Sequence, residues 1–192
     1  MSRYLETIKV VDGEIFHLEY HQKRLNATLN SRYTHSLKES LHPPKKGLFR
    51  CRVLYDESSI DVEYIPYTKR SVKRLKLITA NGLEYAKKYA DREALSALFE
   101  QRGECDDVLI IKNSLICDTT IANIALYDGK DWFTPKSPLL FGTTRARYLQ
   151  NREIKERDIT PDSLNEYKKV ALMNAMIDFD IIAVEKIEDI MC

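Results

Sequence analysis

Apolar positions along the chain come in short runs whose spacing alternates between strand-like and helix-like periods. Tyr4–Val11 is apolar and β-branched, Asp12-Gly13 follows, and Glu14–Leu18 resumes the pattern, so a hairpin is expected at the start. Glu19–Ser31 carries Leu25 and Leu29 at helical spacing, with Arg24 beside that stripe. Pro43-Pro44 marks a loop over residues 42–47. Strands are expected at Phe49–Tyr55, Ile60–Pro66 and Leu75–Ala80, and Asn81–Tyr89 reads as a connector. Asp91 is a candidate N-cap for a helix carrying Leu95, Leu98, Phe99 and Arg102, which Gly103 stops. Two hairpins follow. One joins Asp107–Ile111 to Leu115–Thr120 through Asn113-Ser114, and the other joins Ala122–Tyr127 to Trp132–Thr134 through Asp128-Gly129. Gly142-Thr143-Thr144-Arg145 opens a short helix, Thr160-Pro161 opens another, and Lys169–Asn174 and Ile181–Val184 read as strands. The mixture predicts an α+β protein of two lobes, a smaller α/β lobe over residues 1–80 and a larger one over residues 81–192.

Length and charge narrow the functional classes. A chain of 192 residues fits one large or two small domains. The longest apolar patches, such as Val108–Ile111, are strand-sized, so no membrane association is expected, and the first residues lack the apolar core of a secretory signal. A net charge of +1 argues against a dedicated nucleic-acid binder. The local basic run of Lys69, Arg70, Lys73, Arg74 and Lys76 reads as a solvated strand edge. Cys51, Cys105, Cys117 and Cys192 form no C-x-x-C pair, so no metal site is expected and reduced thiols in a cytoplasmic protein are the simpler reading. His17 and His21 stand four apart with no further ligands nearby and read as surface or structural.

Each candidate motif has an ordinary reading when taken singly. Lys88 is one lysine among many, Gly142-Thr143-Thr144 is an acceptable helix entry, Asp118 suits a turn, and Arg24 suits a surface helix. Their order is more specific. Leu5–Val10, His21–Leu25 (H-x-x-R-L), Lys88–Arg92 (K-x-x-D-R), Asp118–Ile124 (D-T-T-I-A-N-I), Leu139–Arg147 and Met173–Met176 (M-N-A-M) occur in sequence along nearly the whole chain. In that order they resemble the fold-type IV, pyridoxal-phosphate-dependent class IV aminotransferases and, most nearly, 4-amino-4-deoxychorismate lyase.

The resemblance implies a two-lobed, D-amino-acid-aminotransferase-like fold, trimmed at both ends. It implies pyridoxal 5′-phosphate as cofactor, attached covalently to Lys88. Asp118 stands where the family has a Glu beside the pyridine nitrogen, one methylene shorter. Thr143 and Thr144 would hold the phosphate with amides at a helix start, Arg24 would supply a compensating cation, and Asn174 falls where the family has a further phosphate-side contact. A polar group in a core strand is the other reading of Asn174. Arg50 and Arg52, on one strand face, are candidates for a substrate carboxylate, against the alternative of two solvated arginines. A small amino-acid-like substrate and a homodimer are further implied. The first reading of function is therefore release of pyruvate and 4-aminobenzoate from aminodeoxychorismate, with Lys88 as the catalytic base. Transamination of D-amino or branched-chain amino acids, and cofactor binding without turnover, are the rivals.

Overall fold

A computed structural model describes residues 2–29 and 35–182. The chain divides into two compact units, Met1–Lys69 with Lys87–Asp91, and Arg70–Ala86 with Arg92–Cys192. The sequence boundary at residues 80/81 and this division therefore group residues 70–80 and 87–91 differently.

The first unit is a four-stranded antiparallel sheet covered on one face by a helix. Strand β1 (Tyr4–Val11) turns through Asp12-Gly13, both at positive φ, into the short strand β2 (Glu14–Ile15). Two successive left-handed residues give the hairpin turn whose twist matches the strands, and Gly13 takes the second of those positions without strain. Helix α1 (Leu18–Thr28) follows. Ser36 caps a single turn, α2 (Leu37–Ser40), by accepting from the Glu39 amide, an element the hydrophobic pattern does not announce. Strands β3 (Leu48–Tyr55) and β4 (Ile60–Pro66) complete the sheet in the order β2-β1-β3-β4.

Alternation sorts the two faces. Ile8 and Val10 of β1 and Cys51, Val53 and Tyr55 of β3 are buried with Leu25, Leu29, Leu37 and Leu41. Arg50 and Arg52 alternate with those core residues and so leave by the other face. Residues 88–90 add a short pairing to β1, where the Leu5 amide donates to the Lys88 carbonyl and the Ala90 amide to the Arg3 carbonyl.

The second unit is built on a larger sheet. Strand β5 (Leu75–Thr79) runs parallel to β6 (Asp107–Lys112), and the crossover between them carries helix α3 (Glu93–Glu100). The N-cap position of α3 is Arg92, with no side-chain cap bond, rather than Asp91 as the sequence suggested. Strand β6 returns as β7 (Leu115–Thr119) through Asn113 and Ser114, both at positive φ. Strand β8 (Asn123–Tyr127) then pairs with β7, with β9 (Trp132–Pro135) and with β11 (Lys169–Asn174). Helix α4 (Thr143–Gln150), strand β10 (Lys155–Arg157), a 3-10 helix over Pro161–Glu166 and strand β12 (Asp178–Ile182) complete the unit. Strand β10 is too short and too polar to show in the sequence, and its parallel pairing with β9 is long-range. The expected strand at Ile181–Val184 begins earlier, at Asp178, and Ala183 and Val184 lie outside the described residues.

Both faces of this sheet are covered. Leu109, Ile124, Leu126, Val170 and Leu172 fill one buried cluster, while Val108, Ile110 and Cys117 pack with Leu95 of α3 in another. That two-sided burial explains the continuous apolar run Val108–Ile111 where a one-sided strand would alternate. The basic run is tied into the loops of this unit. Arg70 donates to the Asp106 carbonyl, Arg74 donates to the Glu104 carbonyl, and the Asp106 carboxylate accepts from the amides of Lys73 and Arg74. Cys51 and Cys117 are buried free thiols, whereas Cys105 is disulfide-bonded, which corrects the expectation of reduced thiols throughout; Cys192 lies outside the described residues. Among the described residues no helix is long and apolar enough to cross a membrane.

Candidate active site

Two separate polar constructions contain the residues singled out in the sequence. The first lies in the β1–α1 unit. Glu6 points from β1 into the apolar face under α1 and is completely buried. Helix α1 presents His21 and Arg24, three apart and therefore on one side of the helix. Arg24 donates from Nε to Glu6 Oε1 at 2.7 Å and from Nη2 to Oε2 at 2.5 Å, and His21 Nδ1 lies 2.6 Å from Oε2. Burial alone would raise the Glu6 carboxyl, but the Arg24 charge and the bonds from His21 and Arg24 prevail and hold it at about 2. An ionised carboxylate only accepts, so Nδ1 of His21 carries the proton in that contact. The sequence pattern alone marks His21 as surface or structural and does not single out Glu6. The signal is a glutamate in alternation with Ile8 and Val10 on the apolar side of β1, followed by His and Arg at helical spacing.

Lys88 sits in the short segment paired beside the start of β1 and is half-buried. Its neighbour Lys87 sends Nζ to the Thr28 carbonyl at the end of α1, 2.9 Å away, and over the Tyr4 ring. The Thr28 hydroxyl in turn donates to the Arg24 carbonyl. The Lys87–Asp91 segment is thus fastened to the same strand and helix that carry Glu6 and Arg24. Arg50 is exposed on the outer sheet face; Arg52 is half-buried there, with Nη1 3.6 Å from Oε2 of Glu63 on β4.

The second construction lies in the larger unit. Asp118, near the end of β7, is buried with a relative exposure of 4%. Asn123 Nδ2 donates to its Oδ1 at 2.8 Å and the Leu140 amide donates to its Oδ2 at 3.0 Å. Both donors are neutral. Burial pushes the Asp118 carboxyl up to about 6, against the lowering effect of those two bonds and of the Arg145 charge.

Gly142 stands at the N-cap of α4 with extended backbone and has no side chain to accept from the first helical amides. Thr143 and Thr144 open the helix and are both buried. Arg145, also buried, donates to the Pro135 carbonyl at 2.8 Å and to Glu156 at 2.6 Å, which fastens the first turn of α4 to the end of β9. Arg92 donates to the Thr120 carbonyl at 2.7 Å, and so ties the start of α3 to the turn after Asp118.

Asn174 ends β11. Its Oδ1 accepts from the Met176 and Ile177 amides at 2.9 and 3.1 Å, and its Nδ2 donates to the Ile121 carbonyl at 3.1 Å. Its amide therefore shapes the β11–β12 turn and braces the Thr120–Ala122 turn beside it.

These groups are a buried carboxylate with neutral donors and a helix start without a side-chain cap. A helix start with buried, uncapped amides accepts a phosphate. A buried carboxylate with only neutral donors retains the capacity to hold a proton or accept from an N–H.

Comparison with known proteins identifies the family. Residues 54–187 match the model of the family described as amino-transferase class IV. An uncharacterized protein of Haemophilus influenzae is 32% identical over 185 residues, which span 92% of this chain and 98% of the relative. A Haemophilus somnus crystal structure, provisionally named a 4-amino-4-deoxychorismate lyase, superposes with a TM-score of 0.82 at 29% identity, covering 92% of this chain and 97% of that one. A hypothetical aminotransferase from Mycobacterium tuberculosis in its PLP-bound form shares the fold, with a TM-score of 0.77 at 15% identity over 97% of this chain and 83% of its own.

Proposed function

The chain belongs to the class IV amino-transferases, an enzyme family, and from that membership we propose that it is a pyridoxal-phosphate-dependent 4-amino-4-deoxychorismate lyase, releasing pyruvate and 4-aminobenzoate. The observation that carries the choice of reaction is the 29% identity, over almost the full length of both chains, with the Haemophilus somnus protein named for that activity. The residues present fit the cofactor. The amides of Thr143 and Thr144 lie at a buried helix start whose glycine N-cap cannot consume them, and Asp118 is a buried carboxylate with neutral donors.

When bound, pyridoxal phosphate supplies an electron-accepting ring that acidifies the proton next to the substrate nitrogen. In this reading Lys88 would hold the cofactor through Nζ, and the same amine would serve as the general base for that proton. Asp118 would lie at the ring nitrogen and favour its protonated form. Thr143 and Thr144 bind the phosphate with N–H groups, and Arg24, oriented by Glu6, supplies a cation for it. Asn174 fixes the turn on the phosphate side. Arg50 and Arg52 bind substrate carboxylates, with Glu63 competing for Arg52. A homodimer in the cytoplasm completes the proposal.

The test is a product assay. Purified protein, supplied with pyridoxal phosphate and aminodeoxychorismate and with no keto acid, is expected to release pyruvate. Turnover only when a keto acid is added would replace the lyase by an aminotransferase, the reaction for which the matched family model is named. Cofactor binding with neither activity would leave a non-catalytic binder. Borohydride reduction followed by peptide mapping is expected to label Lys88, and a label on Lys87 would overturn the assignment of the attachment site.

A further inference from the structure

Asn123 is buried at the start of β8 and uses each of its amide atoms. Nδ2 donates one hydrogen to Asp118 Oδ1 and the other to the Leu140 carbonyl, both at 2.8 Å. Leu140 closes the ring by donating its own amide to Asp118 Oδ2. The amide orientation is fixed by chemistry, because a carboxylate and a carbonyl only accept and both must face the NH2 group. The amide oxygen is thereby turned toward Gly142, where a Cβ atom would lie 2.0 Å from Oδ1. Glycine is required at this position by close approach; its φ of −70° is one that any residue adopts.

We propose that Asn123 is the positioning residue for Asp118: its amide orients the carboxylate and, by packing its oxygen on Gly142, fixes that carboxylate relative to the start of α4. The inference rests on the reading of Asp118 as the partner of the cofactor ring nitrogen. Only a primary amide meets the requirement. Two donors must leave one atom toward Asp118 and Leu140, and a compact acceptor must face Gly142. An aspartate at position 123 would set two carboxylates against each other, and an aliphatic residue would leave the part-buried Leu140 carbonyl without this donor. Among the described residues, charged or titratable groups acting around Asp118 include Arg145 of α4, which favours its ionised form, and the adjacent Cys117 thiol. Both are left intact when Asn123 is changed.

The experiment follows the side-chain carboxyl carbon of Asp118 by NMR through a pH titration of the apo-protein, with Asp118→Asn to assign the signal. In Asn123→Ala the titration midpoint is expected to rise by about one pH unit, because a hydrogen bond to the ionised form is lost. Gly142→Ala, which leaves Asn123 in the sequence but crowds its oxygen, is expected to raise the midpoint in the same direction and keeps the test available if Asn123→Ala does not fold. A midpoint unchanged from wild type in the folded variants overturns the proposal. The dissociation constant for pyridoxal phosphate, read from its visible absorbance, is measured on the same samples and is expected to rise. A moved midpoint upholds the clamp whatever the affinity, and the cofactor role of Asp118 falls separately if Asp118→Asn keeps full activity.

Discussion

Glu6 accepts two hydrogen bonds from one edge of the Arg24 guanidinium, at 2.7 and 2.5 Å, from a position on β1 with no solvent exposure. The pairing joins the strand to the helix and sets the plane of the guanidinium. Removing one partner of a buried pair leaves the other charge uncompensated. Glu6→Ala is therefore expected to destabilise the protein by about 3 kcal/mol in urea unfolding. The pH dependence has a definite sign. The folded-state value of Glu6 lies below the unfolded one, so its contribution is complete above about 4.5 and is lost as pH falls toward about 2. Glu6→Gln should remove that part of the acid dependence, and a variant as acid-sensitive as wild type would refute the pairing.

Arg24→Gln should weaken pyridoxal phosphate binding by about ten- to a hundredfold, the range of a charge-assisted hydrogen bond. Glu6→Gln should weaken it less, because the cation remains and only its orientation is relaxed. Equal affinity in Arg24→Gln and wild type, measured by equilibrium dialysis, would remove Arg24 from the phosphate site.

Asp118 carries the opposite linkage. Its folded-state value, about 6, lies above the ordinary 3.8, so the apo-protein loses stability as pH rises from about 4 through 6. Asp118→Asn should abolish this slope in thermal unfolding. In the assay Asp118→Asn should retain bound cofactor and lose most activity, while Asp118→Glu should be tolerated. Full activity in Asp118→Asn would reduce the residue to a structural polar group.

Lys87 and Lys88 should separate cleanly. Lys87→Ala gives up the bond to the Thr28 carbonyl and the contact with Tyr4, and should cost about 1 kcal/mol of stability while the cofactor still attaches covalently. Lys88→Ala should remove covalent attachment, seen as loss of the borohydride-stable label by mass spectrometry.

The free thiols of Cys51 and Cys117 are both pushed by burial up to about 11. At pH 8 almost none of either is thiolate, so iodoacetamide should modify them only after unfolding. Alkylation of the native protein within minutes would contradict their burial.

The sequence by itself determined the local elements and the family. Strands β1, β4 and β11 begin and end where alternation and turn residues place them, because side-chain period and turn chemistry act over a few neighbouring residues. The positive-φ turns at Asp12-Gly13 and Asn113-Ser114 are equally local. The order of Glu6-Thr7, His21-x-x-Arg24, Lys88 to Arg92 and Asp118 to Asn123 carried the resemblance that the family model bears out. Tertiary structure decided what those residues touch. Nothing in local propensity sends Glu6 into the core, since a lone carboxylate would be expelled. It is retained because α1 brings Arg24 and His21 within bonding distance, and that depends on a helix and a strand meeting across the chain. The same holds for Asn123, an ordinary strand residue until the chain from 139 to 142 returns to meet it, closing a ring of hydrogen bonds around Asp118 and bringing Gly142 against its oxygen. Burial and long-range hydrogen bonds set the partners of these side chains, and both arise only when segments distant in sequence pack together.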